Sequence, residues 1–120
     1  MRVILAGSRS FRDPKVMADA VSASGFDVTS VLSGTARGAD RLGENWAFVN
    51  NVPMARYPAD WNRHGKSAGV LRNKEMAENA DALIALWDGE SRGTAHMIKH
   101  ALARGLAVYV HDSEVAPDPT

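Results

Sequence analysis

The residues of this chain that could do chemistry gather in four short segments. "LWDGESRGTAHMIKHAL", residues 86–102, sets Asp88, Gly89, Ser91, Gly93 and Thr94 between an apolar run and a helical pattern. A helix that opens on such a turn suits a phosphate, because its first backbone N–H groups lack intrahelical partners and lie at the positive end of the dipole. "SGTARGAD", residues 33–40, repeats the theme with Ser33, Gly34, Arg37, Gly38 and Asp40, and "GSRSFRD", residues 7–13, with Gly7, Ser8 and Arg9. The fourth segment, "PADWNRHGKSAGVLRN", residues 58–73, adds Lys66, Arg72 and Asn73. Arg9, Arg12, Arg37, Arg63, Lys66, Arg72 and Arg92, half of the fourteen Lys and Arg, lie in the turns of these segments, although the formal net charge is zero. Cations gathered locally in a neutral chain suit a compact anion better than a long polyanion. The glycine spacing is neither G-x-G-x-x-G nor G-x-x-x-x-G-K-[ST], so an ordinary dinucleotide fold and a P-loop are not indicated.

Each of these residues also has a plainer role. Arg72 can grip a phosphate through two parallel N–H bonds, or pair with Glu75 on its own helix. Asp88 follows an apolar run directly, where an acid can hold ribose hydroxyls or cap the next turn. Asp40, two residues past Gly38, reads as a helix cap rather than a base. Arg9 and Arg37 divide between phosphate contact and solvated charge, Arg92 leans to solvent, and Glu90 reads as solvated. His96 and His100 share a helical face, but without the glutamate of H-E-x-x-H or a third ligand at a recognisable spacing they read as packing or surface residues, and no metal is expected. Trp61 could stack a base, but reads first as the apolar pin of a long loop. Phe11 reads as a staple on the first helix, and Trp46, on one face with Leu42 and Val49, as core.

The elements that must position these segments are legible. Five apolar runs, "RVILAG", "DVTSVLSG", "VPMARYP", "ADALIALWDG" and "LAVYVHD", end in Gly, Pro or Asp as buried strands do. Four helical patterns lie between them: "DPKVMADAVSAS", "GADRLGENWAFVNN", "KSAGVLRNKEMAENA" and "RGTAHMIKHALARG". Asp13 and Pro14 form a start signal for the first, and Gly25 a stop. The alternation predicts one α/β domain, a Rossmann-like open parallel sheet of about five strands with helices on both faces. Ligands bind such sheets beyond the carboxyl ends of the strands, which is where all four segments fall.

The 120 residues, 45% apolar and 23% charged, suit a single domain, expected over 1–112, with 113–120 as a flexible tail. The absence of cysteine rules out disulfides and thiolate metal sites. No apolar run is long enough for a signal core or a membrane span, so a cytoplasmic protein with no membrane partner is expected.

"SGTARGAD" resembles the glycine-rich motif of the Smf/DprA proteins. "LRNKEM" followed by "GESRGT" resembles the arginine motif and the PGGxGTxxE motif of the LOG phosphoribohydrolases. "GSRSF", "SGTARGAD", "PADW", "AGVLRN" and "WDGESRGT" in this order most resemble the small YspA-like branch of the SLOG superfamily, from residue 4 to about residue 110. The resemblance implies a Rossmann-like domain for a nucleotide or nucleotide-derived ligand, and a homodimer. Arg72 and Met76 match the arginine and methionine of the LOG motif, Asn73 stands where it has lysine, and Gly93 and Thr94 match its G-T. Its catalytic glutamate falls on Met97. The same segment resembles the nucleoside deoxyribosyltransferases, whose nucleophilic glutamate also falls on Met97. A thioether can neither accept a proton nor stabilise an oxocarbenium-like centre.

The expectation is therefore a binding module, sensor or accessory domain for an intact nucleotide or ADP-ribose-like ligand, with no cofactor. Phosphate would lie on the backbone of Gly93-Thr94 and of Gly34 to Gly38, with Arg72 and Arg9 as counter-charges. The alternative is a phosphoribohydrolase or deoxyribosyltransferase-like enzyme using Asp88 or another loop acid. A third reading, a single-stranded DNA partner, is disfavoured by zero net charge and by the lack of a basic stripe or a stacking series.

Overall fold

The structure, a computed structural model, describes residues 1–111; the tail expected at 113–120, and with it the domain boundary, falls outside the described residues. β1 (Arg2–Gly7), β2 (Ser30–Ser33), β3 (Met54–Arg56), β4 (Ala82–Leu86) and β5 (Ala107–His111) form one sheet in the order β3-β2-β1-β4-β5. Every neighbouring pair is parallel. The expected α/β class and five-strand parallel sheet are what the chain adopts. The order reverses between β1 and β4, so the crevice of this sheet opens beyond their carboxyl ends.

Both faces are covered, as near-continuous apolar strands require. Val3 and Leu5 of β1 with Ile84 and Leu86 of β4 pack one face against α1 (Pro14–Ser24) and α2 (Ala39–Val49). Ile4 and Ala6 with Leu83 and Ala85 pack the other against α4 (Ala68–Glu78) and α5 (Arg92–Ala103). α1 starts where its punctuation says: the Asp13 carboxylate accepts from the Lys15 amide at 2.9 Å, Pro14 follows, and Gly25 ends the helix in the left-handed region. Phe11 is buried in the core cluster beside Val16 and Met17.

Three details depart from expectation. β2 is shorter than its apolar run. The long segment after β3 is not plain loop but carries a short helix, α3 (Trp61–His64), and a 3₁₀ turn, Gly65–Ser67, so that α4 begins at Ala68 rather than Lys66. Val49, expected to share a core face with Trp46, points to solvent, because α2 ends there.

Candidate functional site

The floor of the crevice is set by how tightly β1 and β4 meet. Gly7 has φ 152°, and a Cβ there would overlap the Leu86 carbonyl. The next residue, Ser8, is buried and ties three segments together. Its amide donates to the Leu86 carbonyl at 2.8 Å, its carbonyl accepts from the Ala39 amide at 3.1 Å, and its hydroxyl accepts from the Asp88 amide at 3.1 Å. Gly38, with φ 75°, lies directly on the backbone of Arg9; a Cβ would stand 2.5 Å from the Arg9 Cα. These contacts hold the loops after β1, β2 and β4 around an open cavity of about 760 Å³, within the ~300–1,000 Å³ of ordinary small-molecule sites.

The wall after β4 is built by capping. The Asp88 carboxylate accepts from the amides of Glu90 and Ser91, both at 2.8 Å. The Ser91 amide and then the Glu90 amide hold this exposed carboxyl below its ordinary pKa, so Asp88 caps the turn as an ionised acid. Trp87 pins the same turn, its indole N–H donating to the Ser91 carbonyl at 3.1 Å. Ser91 is the N-cap of α5, with its hydroxyl 3.4 Å from the Thr94 amide and 3.1 Å from the Thr94 hydroxyl. The amides of Arg92 and Gly93 have no partner among the described residues. Nothing stands within 4 Å of where a Cβ at Gly93 would project, and Gly93 lines the cavity.

The loop after β2 is closed on itself. The Ser33 hydroxyl donates to Glu44 at 2.6 Å and accepts from the Thr35 amide at 3.1 Å, while Thr35 is held at φ 65°. The Ala36 amide donates to the Asp40 carboxylate at 3.0 Å. Gly34 lies beneath Arg72 and Asp40, where a Cβ would stand 2.6 and 2.8 Å from their side-chain atoms. The amides of Thr35 and Ala36, offered by sequence to a phosphate, are thus already taken. Asp40 is not the helix cap either. Gly38 holds that position without a side-chain bond, and the Asp40 carboxyl reaches back into the loop instead. Only 5% exposed, Asp40 lines the cavity. Burial pushes its pKa up to about 6, against the opposing pull of the Ala36 amide and the Arg72 charge.

Arg72 crosses from α4 to this loop. Its guanidinium donates to the Gly34 carbonyl and, from Nε, to the Asn73 side chain at 2.9 Å. Burial lowers its pKa, the Asp40 charge opposes that, and the neighbouring Arg9 charge adds to it. Asn73, buried, approaches α5 with its amide 3.4 Å from the Gly93 carbonyl and 3.5 Å from His96 Nδ1. The alternative open to Arg72 in the sequence, an intrahelical pair with Glu75, does not form.

Of the residues singled out in the sequence, Gly7, Arg9, Asp40, Lys66, Arg72, Asn73, Asp88, Ser91, Arg92, Gly93 and Thr94 line the cavity together. Ser8, Ser33, Gly34 and Gly38 lie behind the wall as loop architecture, while Arg37 and Gly89 face solvent, the latter at φ 82° in its turn. Trp61, whose first reading in the sequence is the apolar pin of its loop, is 55% exposed and lines the cavity. His96 also lines it, stacked on His100 with ring centroids 5.8 Å apart, and burial followed by the His100 charge lowers its pKa. Among the described residues no three His, Asp or Glu converge as metal ligands. Met97, at 2% exposure, belongs to the core between α4 and α5 while its edge reaches the cavity.

An open, all-parallel sheet with its cavity at the β1–β4 reversal defines a Rossmann-like domain. The chain belongs to the YspA, cpYpsA-related SLOG family, whose sequence profile matches residues 1–64. That membership points to nucleotide-related binding or processing. The chain is also similar to the Gene 61 protein of Mycobacterium phage D29, with 38% identity over 89% of this chain and 93% of that protein. No helix among the described residues is long and apolar enough to cross a membrane.

Proposed function

We propose that the cavity binds a phosphate-bearing nucleotide or a nucleotide-derived ligand of the ADP-ribose kind, intact, as a sensor or accessory domain. One observation carries this reading. Arg9 and Arg72 face the same cavity, the Arg9 charge reaches Arg72, and no carboxylate forms an ion pair with either among the described residues, although the Asp40 charge also reaches Arg72. Like charges held together are relieved by an anion between them, and the unpartnered amides of Arg92 and Gly93 border the same space.

Thermal unfolding against AMP, dAMP, ADP-ribose, NAD, cyclic nucleotides and inorganic phosphate tests it. A ligand at 100 times its Kd adds about 2.7 kcal/mol, which raises Tm by several degrees in a domain of this size. The nucleotide is expected back unchanged by chromatography. If no phosphate-bearing compound stabilises the protein, the reading falls.

A second reading, N-glycosidic bond cleavage, is favoured by one residue. Asp88 is committed to capping, but Asp40 is a buried carboxyl on the cavity wall that changes protonation near pH 6, which suits a general acid or base. Release of free base, abolished by Asp40→Asn, would support it over the first. The homodimer implied by the family resemblance and a cytoplasmic location are part of the same proposal; light scattering tests the former and cell fractionation the latter.

A further inference from the structure

The outer end of the cavity carries an aromatic residue that packing does not explain. Trp61 opens α3, which is held by other means. The Asp60 carboxylate accepts from the Arg63 amide at 3.1 Å, and the Gly65 amide closes back on the Trp61 carbonyl. The indole is 55% exposed, and its N–H has no hydrogen-bond partner among the described residues. Its ring edge rests on α4 at Gly69, 3.6 Å from where a Cβ would be, an ordinary van der Waals contact made by the edge alone. Val70, the next residue, is also exposed and lines the same cavity. An indole left exposed at the mouth of a site forgoes the stabilisation that burial would bring.

The position along α4 is informative. Gly69 and Asn73 are one helical turn apart, about 6 Å along the axis, and Asn73 touches the Gly93 carbonyl at the amide end of α5. The cavity therefore has a polar end at Arg72, Asn73 and Gly93, and toward the start of α4 it is lined by Trp61 and Val70 together with Lys66. A nucleotide has the same polarity over a comparable length, with its sugar between.

We propose that Trp61 is the platform on which the base of the bound nucleotide stacks, Val70 bounding its edge, with the phosphate at the α5 end. This rests on the nucleotide-binding reading and assigns the base its place. Stacking tolerates any base because each presents a π face, so the platform prefers purines to pyrimidines by area and selects little beyond that.

Calorimetry on the full chain with AMP, CMP and ribose 5-phosphate tests the assignment in wild type, Trp61→Leu and Trp61→Phe. Because Trp61 is exposed, both variants should keep the wild-type Tm. AMP binding is expected to weaken about ten-fold or more in Trp61→Leu and to stay within about three-fold in Trp61→Phe. CMP should bind more weakly than AMP to the wild type, and ribose 5-phosphate should bind all three proteins alike. The platform is overturned if AMP is indifferent to Trp61→Leu, or if ribose 5-phosphate weakens in parallel, which would make Trp61 a shaper of the loop. A wild type that binds ribose 5-phosphate as tightly as AMP overturns the platform and leaves phosphate binding intact. A wild type that binds none of the three overturns both.

Discussion

The loops after β2 and β4 are near twins as text and opposites in the fold. Each offers serine, glycine, arginine and an acid at the entry to a helix. In the first, Ser33 and Asp40 take the amides of Thr35 and Ala36, and Arg72 closes over Gly34. In the second, Asp88 and Ser91 cap the turn but leave the amides of Arg92 and Gly93 without partners among the described residues. The acids differ accordingly: Asp40 is buried and holds its proton up to about pH 6, while Asp88 is exposed and ionised. A glycine-rich turn shows that amides can be approached; only the neighbouring side chains decide whether they are open to a ligand.

The harshest test of this contrast is Met97→Glu. If the open loop were an active site lacking only its carboxylate, the variant would fold and cleave. Met97 instead sits among Ile4, Met76 and Ala101, and a carboxyl there is expected to cost on the order of 3–5 kcal/mol in urea unfolding. A stable, active variant would break the comparison. Gly38→Ala comes next. It forces a side chain onto the Arg9 backbone at a left-handed φ, so a loss of about 2–4 kcal/mol is expected in the same experiment. Gly93→Ala on the open loop, with free space around it, should stay within about 1 kcal/mol while weakening phosphate binding.

Asp40→Asn probes the closed loop through pH. The carboxyl ionises at 3.8 when unfolded and at about 6 when folded, so between these values the folded state holds the extra proton. Stability therefore falls as pH rises through that window and levels off above it. The stability of wild type relative to Asp40→Asn should drop by on the order of 2 kcal/mol between pH 4 and 7. A pH-independent difference would mean that Asp40 is not held as described. The smallest effect on stability is expected from Arg9→Ala. The exposed side chain should leave Tm nearly unchanged, yet phosphate affinity should fall by about ten-fold, read by calorimetry at fixed salt.

The layout of the domain was legible because its signals are local. Buried strands are apolar runs, and Asp13, Pro14 and Gly25 punctuate α1 by rules that need no tertiary partner. The four residues of α3 are too few to show a period. That the four chemistry-bearing segments belong at one edge also followed from the alternation of strands and helices. Which side chain holds which amide did not. Arg72 meets Gly34 across 38 positions of sequence, and nothing near Asp40 in the chain announces that it will be buried. A long loop calls for a buried pin, and Trp61 is the natural candidate, but the segment is closed by the Asp60 cap and the α3 turn while the indole stays exposed.

The contact between Arg72 and the Gly34 carbonyl also sets a cost on binding. It is a strut between two walls of the cavity, and a ligand that recruits the guanidinium fully must first draw it from that carbonyl. Side-chain exchange is fast beside encounter, so the apparent affinity is reduced by the fraction of time the strut stays closed. Stopped-flow rates should therefore stay linear in ligand concentration.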